Sequence, residues 1–525
     1  MWKYYIVFQY KQAVFDMGES ISKFVTDYCD PHTVATNVRA LVGRKRRRDE
    51  SDDQDSDSDH LLEKTLHTPK KKKLLSTAQY IYRALFKEGN NSDVTVIALG
   101  KPWRLHKVYL CQSPYFASMF SGAWREAKED VVNIKIVDPK INLDSLYTVL
   151  GSLYLDEITL EPIEVIPTLA TATLFQLEGI IDQCAEIMIE TVNAETAVKY
   201  YEAACEYGVQ SVKEAAFKWL LINLLSHFQE QPKRLREISV DLMQKLVTNC
   251  DLYVMQTEFS LYVLLRFWVF LQLHPEWDSS SRDSLLEAHH YFQNREDEEP
   301  FLLTREGRTF IGPFKALRYN HLINHHLDVE MLKTDRIVPA EWLTPAVSDQ
   351  WYHMLRVDQG LDRGPKSVAH DDFCSACFRC GRTLVNSGEH VWRWTGFNMG
   401  LDLIWSCNTR TLRVKRNHRT EHEVMLSMQS RRHIICRVTL TSLNEQRQVK
   451  HTQTTGMKCL TLFKNEEVTL LVLDKDLTYP LLLSVNLFLN TSLVPSQEET
   501  NSNDATPASP SPSPPLQPQN VNEEG

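Results

Sequence analysis

The chain has 525 residues, 43% hydrophobic and 24% charged, with a formal net charge of −10. That length calls for several domains, and the composition is that of an ordinary globular protein. The acidic balance argues against nucleic-acid binding by the chain as a whole, although local basic clusters can still act. No apolar run reaches the roughly 18 residues of a membrane-spanning helix. The best candidate, residues 261–273, is short and contains Arg266. Eleven cysteines, mostly in apolar helical segments, suit reduced thiols in a cytosolic or nuclear protein.

Residues 1–43 form an N-terminal extension. It starts apolar, from Trp2 to Phe8, but lacks a charged n-region beyond Lys3 and a small-residue cleavage site, so a signal peptide is not expected. Met17-Gly18-Glu19-Ser20-Ile21-Ser22 fits the N-myristoylation pattern. That chemistry needs Gly18 at an amino terminus, so it applies only if translation starts at Met17. Residues 44–75 read as a disordered nuclear-import linker. Arg44, Lys45, Arg46, Arg47 and Arg48 open it, Lys70, Lys71, Lys72 and Lys73 lie near its end, and an acidic run over 49–59 separates them. The run has no apolar surface to bury and cannot fold alone. Two dense basic clusters on an extended segment suit the acidic grooves of an import carrier. Ser56 and Ser58 lie among acids, and phosphorylation there would add negative charge.

Residues 77–87 are expected to form a leading helix with Tyr80, Ile81, Ala84 and Leu85 as its apolar stripe. Val94, Val96 and Ala98 then share one face of a strand. A turn at Gly100-Lys101-Pro102 sends the chain back through Trp103 and Leu105 as a hairpin partner. Ser113 is placed to cap a helix and Pro114 to fill its first position, with Phe116, Met119 and Phe120 on one face. Val132, Ile134 and Ile136 alternate as a further strand. Leu143, Leu146, Tyr147, Leu150 and Tyr154 form a helical stripe after it.

This order of elements, with Ser92-Asp93-Val94, Leu105-His106-Lys107, Leu110, Ser113, Tyr115-Phe116 and Met119-Phe120, resembles a BTB (POZ) domain, assigned to residues 76–185. The resemblance implies a protein-interaction module, usually a homodimer and without a catalytic site. In such dimers a leading helix packs across the two-fold, which makes Tyr80, Ile81, Ala84 and Leu85 dimer candidates. Packing within the chain is the alternative for the same stripe. His106 has no partner at catalytic spacing and is assigned to structure. After the helix ending at Phe120, Trp124-Arg125-Glu126 is similar to the hydrophobic-x-acid tripeptide of BTB adaptors that recruit cullin-3. An aromatic anchor would fill a groove and a carboxylate would serve its rim. Tyr115, Phe116, Met119 and Phe120 would supply the adjacent helix face.

From 162 to 223 the chain reads as successive amphipathic helices with short connections, stacked as antiparallel neighbours. Residues 251–268, DLYVMQTEFSLYVLLRFW, resemble the BACK domain that follows BTB in cullin adaptors, assigned to 186–290. Glu258, Tyr262 and Trp268 take that family's acid, aromatic and tryptophan positions and are expected in the core. Residues 291–375 read as a linker with a helical extension. Short β-prone runs between 376 and 492 imply an antiparallel β-rich domain, without the period near 50 residues of kelch repeats. Residues 493–525 are Ser-, Pro- and Asn-rich and expected to be disordered.

The fold class is therefore multidomain α+β: a BTB/POZ domain, a helical BACK domain, a C-terminal antiparallel β-rich domain, and a disordered linker and tail. Cys374, Cys377 and Cys380 could join His370 or His390 at a zinc ion. Structural zinc sites usually join two distant ligand pairs, however, so the triplet is read as free thiols in a loop, with no metal and no cofactor.

BTB, BACK and the block WRWTGFNMGLDLI over 392–404 together resemble the germ cell-less protein-like family. Its members often begin Met-Gly, which makes residues 1–16 resemble an upstream extension. The resemblance implies no metal, and it implies a role in germ-cell development and spermatogenesis near the nuclear envelope or matrix. Two function classes stay open. One is a substrate receptor of a cullin-3 ubiquitin ligase, whose chemistry belongs to other subunits. The other is a nuclear scaffold or transcriptional corepressor whose BTB dimer presents partners. An enzyme is not expected, since no nucleophile–base set or phosphate loop emerges. The expected partners are cullin-3, a second copy through BTB, a protein substrate, an import carrier and nuclear envelope proteins, with no nucleic acid bound directly.

Overall fold

The computed structural model describes residues 76–122, 128–155, 159–277, 281–394, 400–418 and 429–490. Gly18, the basic clusters Arg44 to Arg48 and Lys70 to Lys73, and the C-terminal tail lie outside them. The first helix, α1 (Thr77–Ile81), starts where the Ser76 side chain accepts the Gln79 N–H at 3.1 Å. It continues as a π-helical turn over Tyr82–Lys87 that turns Ala84 and Phe86 inward. Phe86 packs on the rings of Tyr82, Tyr147 and Tyr154 at 5.3, 5.1 and 5.4 Å. Gly151 admits this ring, since a Cβ there would stand 2.9 Å from it.

Strands β1 (Val94–Ala98) and β2 (Lys101–Leu105) pair antiparallel, with Ala98 opposite Lys101. The turn is therefore Leu99-Gly100, both at positive φ, one step earlier than the sequence reading placed it. A two-residue turn of this hand matches the strand twist. Pro102 is tolerated because β2 lies at the sheet edge. The short helix α2 (Lys107–Leu110) leads into α3 (Pro114–Phe120). The Ser113 hydroxyl accepts the Phe116 N–H and donates to the Phe175 carbonyl at 2.6 Å. Strand β3 (Val131–Ile134) runs parallel to β1, and Ile136 lies beyond it.

A capping box between Asn142 and Ser145 starts α4 (Leu143–Ser152). Leu146, Val149 and Leu150 face inward, whereas Leu143 and Tyr147 stay 42% and 36% exposed. The buried stripe is thus rotated from the expected one. Ser145 bonds Thr171 on the following helix at 2.8 Å, which brings that side of α4 against its neighbour.

Four helices follow as antiparallel pairs: α5 (Val165–Leu174), α6 (Glu178–Glu190), α7 (Ala197–Tyr207) and α8 (Gln210–Asn223). Next come α9 (Pro232–Arg236), α10 (Val240–Thr248) and the thoroughly buried α11 (Glu258–Leu273). The helices α12 (Ser281–Gln293), α13 (Ile311–Lys315), α14 (His326–Asp335), α15 (Ala340–Asp358) and α16 (His370–Ala376) complete the helical part. One apolar core runs from Phe86 to Val338. The expected linker within 291–375 is corrected: Phe301, Leu302, Phe314, Leu322 and Ile337 are core residues.

The C-terminal part is all antiparallel. Strands β4 (Phe378–Leu384), β5 (His390–Trp392), β6 (Asp402–Cys407), β7 (Thr411–Asn417), β8 (Arg431–Leu443), β9 (Val449–Thr454), β10 (Lys458–Phe463), β11 (Glu467–Val472) and β12 (Leu481–Phe488) form two sheets. One has the order β10-β8-β12-β4, with β9 also on β8; the other has the order β11-β7-β6-β5. Inner residues of both sheets share one core, with Leu403, Trp405 and Val414 from one and Cys380, Val438 and Val485 from the other. Among the described residues no helix is long and apolar enough to cross a membrane.

Candidate interaction surface

Helix α3 carries most of the residues singled out for partner binding. Tyr115, Met119 and Phe120 are half-buried against the BTB core and keep part of their surface in solvent. Phe116 is fully buried, with its ring 5.0 Å from Phe175 and 6.1 Å from Phe120. It supports the helix from behind and offers no surface, which corrects its placement among the contact residues. Lys107 Nζ sits 5.3 Å over the Phe120 ring. Trp124 and Glu126 fall outside the described residues.

Beside α3 opens a groove of about 710 Å³, lined by Gln112, Pro114, Leu153, Leu155, Leu177 and Ile180 among others. Gln112 donates its amide to the Leu153 carbonyl at 2.8 Å and fixes one wall. The break between α5 and α6, with Gln176 at positive φ, presents Leu177 and Ile180 on the other. Sequence reasoning missed this groove because its walls come from three separate segments. The one local signal was the interruption of helical period at Phe175-Gln176-Leu177.

Of the dimer candidates, Ala84 is buried, and Ile81 and Leu85 pack partly against the chain's own BTB core. Tyr80 points outward, 63% exposed. His106 is buried, with Nδ1 3.1 Å from the Tyr154 hydroxyl and Nε2 2.9 Å from the Asn90 carbonyl. It joins the hairpin to the end of α4.

Glu258, Tyr262 and Trp268 lie in the core, as their period on α11 indicated. Tyr262 and Arg266 both donate to Asp335 Oδ2, at 3.0 and 2.7 Å, which binds α11 to α14. Trp268 donates to the Ile238 carbonyl at 3.1 Å. Burial pushes the Asp335 carboxyl up, but His289 and Arg266 outweigh it and hold the group below its ordinary range.

Helices and sheets meet along a polar seam. Arg379 on β4 binds Glu258 on α11 and donates to the carbonyls of Val247 and Asn249 at 2.7 and 2.9 Å. Gln256 donates to the Gly381 carbonyl at 2.9 Å, and only glycine fits there, since a Cβ would stand 2.6 Å from the Val254 oxygen. At the far end, the turn joining β8 to β9 inserts its tip among the helices. Arg447 donates to Asn223 Oδ1 at 2.8 Å and to the Ser226 hydroxyl at 2.9 Å. Gln448 donates to the carbonyls of Glu190 and Val192 at 2.8 and 3.0 Å.

The cysteine triplet does not form a loop. Cys374 lies in α16, Cys377 follows it fully buried, and Cys380 is in β4. His370 Nε2 is 3.5 Å from Cys374 Sγ, while His390 on β5 lies against the Asn386 carbonyl at 2.9 Å. No group of three or more His, Cys, Asp or Glu is placed to hold a metal ion among the described residues.

The BTB/POZ domain family matches residues 82–192. A Drosophila melanogaster protein named Protein germ cell-less is 46% identical over 504 residues, 90% of this chain and 89% of that protein. The Homo sapiens Germ cell-less protein-like 1 is 40% identical over 429 residues, 81% of this chain and 83% of that protein. A Danio rerio Kelch repeat and BTB domain-containing protein 8 is 27% identical over 204 residues, covering 38% of this chain and 32% of its own. The kelch protein's likeness thus stops well short of the full chain, whereas the first two follow it through BTB, helices and sheets alike. The chain belongs to the germ cell-less family and carries that family's BTB protein-interaction domain.

Proposed function

We propose that this chain is the substrate receptor of a cullin-3 RING ubiquitin ligase acting in germ-cell development, spermatogenesis included. In this reading the cullin docks on α3 and the groove beside it, with Trp124 and Glu126 completing the contact. The sheets hold a target protein, and the ubiquitin chemistry belongs to other subunits. The supporting observation is the pairing of a half-exposed apolar helix face, Tyr115, Met119 and Phe120, with an open groove at its side in which Leu153, Leu155 and Leu177 stand among polar groups such as Gln112, Glu178 and Gln183. An aromatic anchor in a desolvated pocket with polar groups at its rim is how such interfaces concentrate affinity. The site of action is the nucleus, at its matrix or envelope, reached through an import carrier that reads the two basic clusters.

The test is capture of the full chain by purified cullin-3 amino-terminal domain, with Met119→Asp on the α3 face and Leu177→Asp in the groove as variants. Binding lost in both variants supports the reading. If the wild-type chain does not bind, the function moves to a BTB scaffold or corepressor without a ligase. If binding survives both substitutions, the ligase role stands and the interface lies elsewhere.

A further inference from the structure

We propose that Cys374 and Cys250 form a peroxide-responsive dithiol, an oxidative modification site at the seam between the helices and the sheets. The two residues are 124 apart in the chain, yet their sulfur atoms lie 3.0 Å apart as free thiols. Cys250 lies just past α10 and is 9% exposed; Cys374 lies in α16 and is partly open to solvent. Polar groups converge on the pair. Arg437 of β8 donates to Cys250 Sγ at 2.9 Å while pairing with Asp251 at 2.6 Å. Asn486 of β12 donates to the Cys250 carbonyl at 3.0 Å. His370, one helical turn before Cys374, stands 3.5 Å from its sulfur. Cys377 is excluded as the peroxide-facing thiol: it is fully buried, with Arg318 and Asn486 against its sulfur at 2.9 and 3.3 Å.

The chemistry follows from this asymmetry. A thiolate is the reactive form, and the more accessible sulfur meets the oxidant first. Cys374 gives its proton to His370, and its sulfur attacks one oxygen of a hydroperoxide. The S–O bond forms, the O–O bond breaks, and the departing oxygen takes up the proton as water or alcohol. Cys250 then attacks the Cys374 sulfur. The S–S bond forms, the S–O bond breaks, and the leaving hydroxide takes the Cys250 proton as water. Two thiols are oxidised to one disulfide and one peroxide is reduced. Burial and the neighbouring Cys374 push the Cys250 thiol up to about 11 against the pull of Arg437, so Cys250 rests protonated, does not meet the peroxide first, and gives up its proton only as it attacks the oxidised Cys374 sulfur 3.0 Å away. Closing the bond brings the sulfurs from 3.0 Å to about 2.05 Å.

The test treats the full chain with stoichiometric hydrogen peroxide, followed by alkylation, digestion without reductant and mass spectrometry. The expected product is a Cys250–Cys374 linked peptide pair, two hydrogens lighter than the reduced pair and released by dithiothreitol. The exposed Cys111, Cys205 and Cys459 serve as alkylation standards. Cys374→Ser should abolish the pair and Cys377→Ser should leave it. The wild-type result stands by itself should a variant fold poorly. A Cys374–Cys377 link in place of the expected pair would overturn the proposal. So would Cys374 driven to sulfinic acid while Cys250 remains alkylatable.

Discussion

Glu258 at the start of α11 and Arg379 on β4 hold each other through two hydrogen bonds of 2.5 and 3.1 Å, both side chains sealed from water. They are 121 residues apart in the chain and join its helical and β parts. Burial pushes the Glu258 carboxyl up, but the Arg379 guanidinium, helped by Arg318, more than offsets it and holds the group below its ordinary range.

Removing one partner of such a pair leaves the other buried and uncompensated. Arg379→Met is expected to cost about 3–5 kcal/mol of stability. Glu258→Gln combined with Arg379→Met should cost less than the two single losses added, because no bare charge remains. Urea unfolding of the three variants measures both quantities.

Mild acid should loosen the contact between the β8–β9 turn and the helices. His227, beside Arg447, is held down to about 4, first by burial and then by that guanidinium. The unfolded chain takes up this proton near its ordinary value of about 6.5, so it binds more protons than the folded chain between those pH values. The contribution is present above about 6.5 and is lost as pH falls toward 4. Thermal melts from pH 7 to 5 should show Tm falling, with a shallower fall in His227→Gln.

If the cullin reading holds, Trp124 is its anchor. Trp124→Ala should remove about 2 kcal/mol, a roughly thirty-fold weakening. Glu126→Lys should act at the rim, with a smaller, salt-sensitive effect. Binding curves at two ionic strengths separate the two.

Replacing Arg44 to Arg48 and Lys70 to Lys73 by alanine should abolish nuclear accumulation of a tagged chain. Imaging decides it, and an unchanged nuclear signal would remove these clusters from import.

Self-association should place the outward ring of Tyr80 at or near the two-fold. Light scattering on the full chain should give twice the 60.8 kDa mass at micromolar concentration, with Tyr80→Glu shifting it toward the monomer. A wild-type chain at monomer mass rules the dimer out.

Local patterns in the sequence carried much of this fold. The hairpin, the Ser113 cap, the helix pairs and the β-prone runs each obey a short period or a capping rule that adjacent residues report. What was lost depended on distant chain. The α4 stripe rotated because Ser145 meets Thr171, a partner no local period announces. The packed stretch within 291–375 passed for a linker because Phe301, Leu302 and Phe310 are buried from short 3-10 turns, too brief to show helical spacing. The groove beside α3 and the Cys250–Cys374 contact join segments that only the folded chain brings together.

The tip of the β8–β9 turn, gripped by Asn223 and Ser226 on one side and by the carbonyls of Glu190 and Val192 on the other, has a mechanical meaning. Together with the Glu258–Arg379 pair and the Arg437–Asp251 pair it attaches the sheets to the helices at well-separated points of the chain, and several attachments suppress the swivel that one would allow. Whatever the sheets carry is thus held at a fixed bearing from the BTB domain, and its reach is set by the frame of the molecule.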